Sequence, residues 1–214
     1  MREAWLDALH LLDSSFPTGG FAHSFGLETL APGDLTQLRA VLALRVRGSL
    51  ACFELVFLLH AYAAADLVDL DEQLDSMLLV REARQASAAL GTHLLRAACD
   101  LFDRIRLRQF LVEGRHHHHP VAFGAVAAAL DLPRELAAEA YAFASLRGLV
   151  SAAQRLGWLG QRDAQRVLHE LMPELRAAVE RAGRVSITDA GGFAPAWDIA
   201  SMAHERARAR MFAS

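Results

Sequence analysis

Leu50-Ala51-Cys52-Phe53-Glu54-Leu55-Val56-Phe57-Leu58-Leu59 is apolar almost all round a helix, with Glu54 its one charge. A helix with no polar face has no side to turn to water, so this run predicts a central buried helix. It is the second half of a longer helix that starts at Asp34 and reaches about Ala64. The first half is amphipathic through Leu35, Leu38, Leu42 and Val46. Glu54 then needs a partner, because an unpaired buried carboxylate is costly. Leu50 to Ala65 also contains His60 and is too short to span a bilayer.

Working outward, the same helical periodicity recurs. Residues 3–12 put Trp5, Leu6, Leu9 and Leu12 on one face. Residues 13–20 form a turn cluster in which Gly19-Gly20 opens backbone paths closed to other residues. A short helix from Ser24 to Leu30 stops at Pro32-Gly33. On the other side, Asp66 to Asp71 is an acidic connector. Helices over 71–90 and 92–112 are expected, with a break at Gly91. Glu113-Gly114-Arg115 and His116 to His119 form a loop, and Pro120 opens an Ala-rich helix to Leu130. A helix from Pro133 to about Gly157 carries Ala137, Ala140, Ala144 and Gly148 as a stripe suited to a close helix pair. The next runs from Gly160 to Arg181, bent or broken at Pro173. After a loop over 183–194, a short helix begins near Pro195, with Ile199, Met202, Ala203 and Arg206 at helical spacing.

Composition agrees with an all-α, single-domain helical bundle of about eight to ten helices over residues 1–214. Leu and Ala number 35 and 41, against 20 for Val, Ile and Thr together. All 22 basic residues are Arg and Lys is absent, which excludes a Schiff-base lysine and a phosphate-loop lysine. The net charge of −3 gives no basic footprint for nucleic acid. Cys52 and Cys99 sit in apolar helical patterns as small core residues, which fits a reduced, cytoplasmic setting. No signal peptide or membrane segment is expected. The apolar excess, 53% of residues, calls for an oligomer or partner interface, and a homodimer is expected.

Three groups invite chemistry. His116 to His119 could bind nickel or zinc. A flexible loop gives no preorganised ligand set, however, so no metal site is assigned and replacing His116, His117 and His118 by Ser is expected to be harmless. His23, Ser24 and Glu28 combine hydrolase residue types, but without a G-x-S-x-G elbow they read as a turn and helix cap. His204 and Glu205 are adjacent on one helix and point apart, so they suit an interaction surface. Arg208 and Arg210 read as solvated tail charges. Met211 and Phe212 are poor residues to leave in water and need a dock. No catalytic residue and no cofactor is assigned.

Four blocks carry a resemblance. They are Leu11-Leu12-Asp13-Ser14-Ser15-Phe16-Pro17-Thr18-Gly19-Gly20-Phe21-Ala22-His23-Ser24-Phe25-Gly26-Leu27-Glu28; Arg81 to Gln85; His119 to Gly124 with Gly148 to Ala153 and Leu159 to Gln161; and the ending, Asp198 to Glu205 with Arg210-Met211-Phe212. In this order they resemble the UreF family of urease accessory proteins. Met211 stands where that family usually has leucine, and Phe21 where many members have tyrosine. The resemblance implies a UreF-like helical fold and a non-enzymatic role in nickel insertion. Its implied partners are UreD (also called UreH), the GTPase UreG and the urease apoprotein. It also raises Arg210 from a tail charge to a fastener of the C-terminal tail, with Phe21, His23, Ser24, Glu28, His204, Glu205, Arg210, Met211 and Phe212 as partner-binding candidates. The turn at Pro17 to Phe21 is the expected dock for the tail. Ordering it costs about 1–2 kcal/mol per residue, so residues 207–214 can stay disordered until a partner completes the fold. The alternatives are a histidine-loop metal-dependent hydrolase and a generic helical protein-binding module.

Overall fold

The computed structural model describes residues 2–192, 194–207 and 210–213, and the side chains from residue 5 onward. Asp34 caps the long helix by accepting the Gln37 N–H at 2.8 Å. From there α3 (Leu35–Arg45), a π-helical stretch (Val46–Glu54) and α4 (Leu55–Ala63) run on as one rod. Leu55, Val56, Phe57 and Leu58 are fully buried, as the all-round apolar pattern demands. Glu54 finds its partners: Arg45 Nη2 donates at 2.5 Å and the Tyr141 hydroxyl at 3.1 Å.

Around this rod stand α1 (Arg2–Leu12), α2 (Leu27–Leu30), α5 (Leu67–Met77), α6 (Arg81–Phe102), α7 (Ile105–Glu113), α8 (His119–Ala129), α9 (Arg134–Arg155), α10 (Gln161–Ala182) and α11 (Pro195–His204). With α3 to α4 counted as one rod, the described residues form ten helical rods and no strand. They share one apolar core that runs from Ala8 to Phe212. None of these helices is long and apolar enough to cross a membrane. Cys99 is buried and Cys52 half-buried, both as free thiols.

α8 is a second fully buried helix, with Pro120 to Ala127 all inside. It lies so close to α4 that a Cβ on Gly124 would stand 2.4 Å from the Leu58 carbonyl oxygen. Small residues let two backbones meet at the centre of the bundle.

The chain departs from the expected helix boundaries at three places. Gly91 does not break a helix, because α6 runs straight through it. The breaks fall at Leu78–Val80 and at Asp103, whose φ is +30°. Gly91 is small because the histidine segment crosses α6 there: a Cβ would come 1.8 Å from the His117 carbonyl oxygen. The acidic segment is a helix start, since Asp66 caps α5 by accepting the Val68 and Asp69 N–H groups at 2.9 and 3.0 Å. Pro173 sits inside an unbroken α10. It and His169, whose carbonyl loses its bond to the missing N–H, are both on the exposed face, where water can take over.

The stripe on α9 also differs from expectation. Ala137 and Ala140 are buried within this chain, so they are closed to a second copy.

Candidate functional site

The two ends of the chain meet over the N-terminal half of α6. Gly19 and Gly26 hold φ of +79° and +86°, which brings the signature turn back across the bundle. The Phe25 carbonyl then accepts the Trp197 indole N–H and, at 3.2 Å, the Ser201 hydroxyl. Gly26 faces Ser201 so closely that a Cβ would stand 2.3 Å from its Oγ. Ser24 is fully buried in the same turn, and His23 is half-buried beside His93. Burial, reinforced by His93, holds the His23 pKa below its ordinary value.

At the centre is His204, which is 0% exposed. Its Nδ1 lies 2.9 Å from Glu82 Oε2, and its Nε2 lies 3.1 Å from Glu28 Oε2. A neutral imidazole carries one N–H and can donate to only one of these carboxylates; the imidazolium donates to both. The same two carboxylates hold the tail. Arg210 Nη1 donates to Glu82 Oε1 at 3.0 Å. Met211 N and Phe212 N donate to the Glu28 oxygens at 3.0 and 3.3 Å, and Ala213 N donates to the Ala22 carbonyl at 2.9 Å. Phe212 is buried at 4% exposure, with the Arg155 guanidinium 4.3 Å over its ring. Arg81 pairs with Glu205 at the edge.

Arg210 therefore meets a carboxylate on α6 and not the turn at Pro17 to Phe21, the expected dock. The tail docks on Ala22 and Glu28, one turn further along. Arg210 to Ala213 are in place on this dock, and Arg208 and Ser214 lie outside the described residues. Sequence reasoning missed Glu82 as the hub. The available signal was an acidic residue inside the Arg81 to Gln85 block, in the first turn of α6.

The predicted residues separate into two roles by burial. Ser24, His204 and Phe212 are closed off, and His204 and Phe212 with Glu28 hold the two ends together. Phe21 and Met211 face outward at 74% and 61% exposure. α11 carries apolar side chains on both its faces. Trp197, Ala200, Ser201 and His204 point in, while Ile199 (66%) and Met202 point to solvent. The stripe read at helical spacing is thus the outer face. Beneath it lies a cavity of about 840 Å³ lined by Trp197, Asp198 and Ser201, and on its far side by Glu54, His119 and Tyr141. Burial pushes the His119 pKa down to about 4 against the opposing pull of Glu54, so this imidazole is neutral at physiological pH.

Burial acts to raise the Glu28 pKa, but the hydrogen bonds from Met211 N, His204 and Phe212 N outweigh it, and the pKa lies below its ordinary value. A depressed carboxylate contributes docking free energy that is fully present above its unfolded pKa and is lost as pH falls through the folded one. Amide-exchange protection at Met211 and Phe212 should therefore hold at neutral pH and collapse below the usual carboxylate range. Glu28→Gln should flatten that acid transition; an unchanged transition in the variant would assign it to another group.

The UreF family model matches residues 33–172. The urease accessory protein UreF of Arthrobacter sp. (strain FB24) is 37% identical over 212 residues, covering 95% of this chain and 94% of the relative. That of Bacillus sp. (strain TB-90) is 31% identical over 223 residues, covering 98% of each chain. The urease accessory protein F of Oryza sativa subsp. japonica is 32% identical over 215 residues, covering 94% of this chain and 82% of the relative. With a family match over most of the chain and these near full-length relatives, the chain belongs to the UreF family of urease accessory proteins.

Proposed function

We propose that this protein is a non-enzymatic assembly factor for the nickel centre of urease. It bridges UreD/UreH to the GTPase UreG on the urease apoprotein, in the cytoplasm, and nickel passes to urease as GTP is hydrolysed. The observation that supports this reading is the outer face of α11, where Ile199 and Met202 stand exposed while Trp197, Ser201 and His204 point inside. Phe21 and Met211 are also exposed apolar side chains, and exposed apolar surfaces mark protein-binding sites. Phe21, Met211 and Arg210 are the groups a partner meets. His23, Ser24, Glu28, His204, Glu205 and Phe212 keep that surface assembled. The protein acts as a homodimer, and Trp5, Leu6 and Leu9, exposed together on α1, supply apolar surface for the contact.

One experiment tests both parts. In a urease-positive strain lacking the native gene, two differently tagged copies of this chain should restore urease activity, retrieve each other and retrieve UreG. Restored activity without mutual retrieval would remove the dimer. Nickel-loaded, active urease in the strain without either copy would remove the assembly role.

A further inference from the structure

The histidine run lies on the opposite side of α6 from Glu82 and the joined chain ends and is packed, not loose. Asp71 clamps it: Oδ2 accepts the His117 N–H at 2.6 Å and Oδ1 the His118 N–H at 2.7 Å. His119 N donates to Ser87 Oγ at 3.2 Å. The His117 ring is buried, with Nε2 3.1 Å from the Phe110 carbonyl and Nδ1 3.3 Å from Thr92 Oγ1. His118 is fully buried and His119 opens α8. The premise of a flexible, solvated loop therefore fails, and with it the expectation that the triple serine replacement is harmless.

The clamp brings His116 and His118 onto one carboxylate. His116 Nδ1 is 3.4 Å and His118 Nε2 is 3.1 Å from Asp75 Oδ1, and the two rings stack at 5.6 Å. All three ligand atoms lie within 4.8 Å of one another. Ligand bonds of about 2.0–2.2 Å to one central ion set ligand atoms roughly this far apart. We propose that Asp75, His116 and His118 form a binding site for a divalent transition-metal ion, nickel or zinc. Two imidazoles and one carboxylate suit first-row transition ions; magnesium and calcium prefer all-oxygen sets. Asp75 and His116 keep partial access to solvent, which leaves positions open for water or for a ligand on another protein. The cation to be displaced is Arg84, whose Nε lies 3.8 Å from the same Asp75 oxygen and also donates to the Leu78 carbonyl at 3.0 Å.

The site is built for exchange. Strong metal histidines donate their second N–H to an acceptor, which fixes the ring. His118 Nδ1 is buried and has no partner among the described residues. When Nε2 gives its lone pair to the ion, the ring proton sits on Nδ1 with nothing to receive it. The ion is then held weakly enough to be passed on.

This site does not depend on the proposed function, and the test uses the full chain alone. Calorimetric titration with nickel chloride and, separately, zinc chloride at neutral pH should show one saturable site per chain for at least one ion, and none for magnesium chloride. His116→Ala and Asp75→Asn, neither of them in the core, should each weaken that site at least tenfold while the metal-free melting curve stays unchanged. No saturable site for either ion would overturn the proposal. So would affinity unchanged in both variants, because the ion would then sit on other histidines.

Discussion

Gly91→Ala should destabilise this protein by about 3 kcal/mol, the upper end of ordinary overpacking. For a chain of this size that lowers the melting temperature by roughly 6–12 °C. Helix propensity argues the other way, since alanine in a helix interior is favoured over glycine by about 0.5–1 kcal/mol. Contact decides the sign. A methyl at Gly91 would stand 1.8 Å from the His117 carbonyl oxygen, which is backbone held by the Asp71 clamp and cannot swing aside. Gly148, in α9, is the internal control: a Cβ there meets nothing within 4 Å. Gly148→Ala should be neutral or stabilising by up to about 1 kcal/mol. Thermal melts of the two variants separate close approach from propensity.

Arg210→Ala should leave the helical fold intact and reduce capture of UreG at least tenfold. Arg210 keeps a considerable part of its side chain in water, so its pair with Glu82 is worth at most about 1 kcal/mol to the free protein. The same exposure leaves guanidinium donors for a partner, and arginines in that position often cost 2 kcal/mol or more when truncated. Each 1.4 kcal/mol is about tenfold in affinity. Removing residues 208–214 should abolish capture with little change in melting. Burying Phe212 returns about 1.5–3 kcal/mol, and ordering Arg210 to Ala213 costs about 1–2 kcal/mol per residue. For these four residues the ordering cost, roughly 4–8 kcal/mol, exceeds that return. The four tail hydrogen bonds to Glu82, Glu28 and Ala22, at about 0.5–1.5 kcal/mol each, offset the difference, so the tail adds surface more than it adds stability.

The all-α fold was legible because Leu and Ala outnumber β-branched residues and because Leu50 to Leu59 has no polar face. The second buried helix, α8, was harder to see. Its Ala and Gly residues are small and ambiguous alone, and only the contact of Gly124 with Leu58 explains them. Gly91 misled for the same reason, since a glycine that makes room for another backbone looks identical in sequence to one that ends a helix. The signature residues at both ends were found, but neither Glu82 as their shared partner nor the burial that separates His204 and Phe212 from Phe21 and Met211 was visible. Periodicity showed that Ile199 and Met202 share a face, but not that the face points out. That depends on Ser201 and His204 finding Phe25, Glu28 and Glu82 far away in the chain. Such partners carry no local signal.

The docked C-terminal tail is proposed to display a partner surface, and the most direct measurement of that role is quantitative co-purification of UreG with the wild-type chain, Arg210→Ala and the 208–214 deletion, alongside melting curves and urease activity. That role predicts unchanged folding, at least a tenfold loss of UreG for Arg210→Ala, and no capture or urease activation for the deletion. A folded deletion variant that still retrieves UreG and activates urease normally would contradict it.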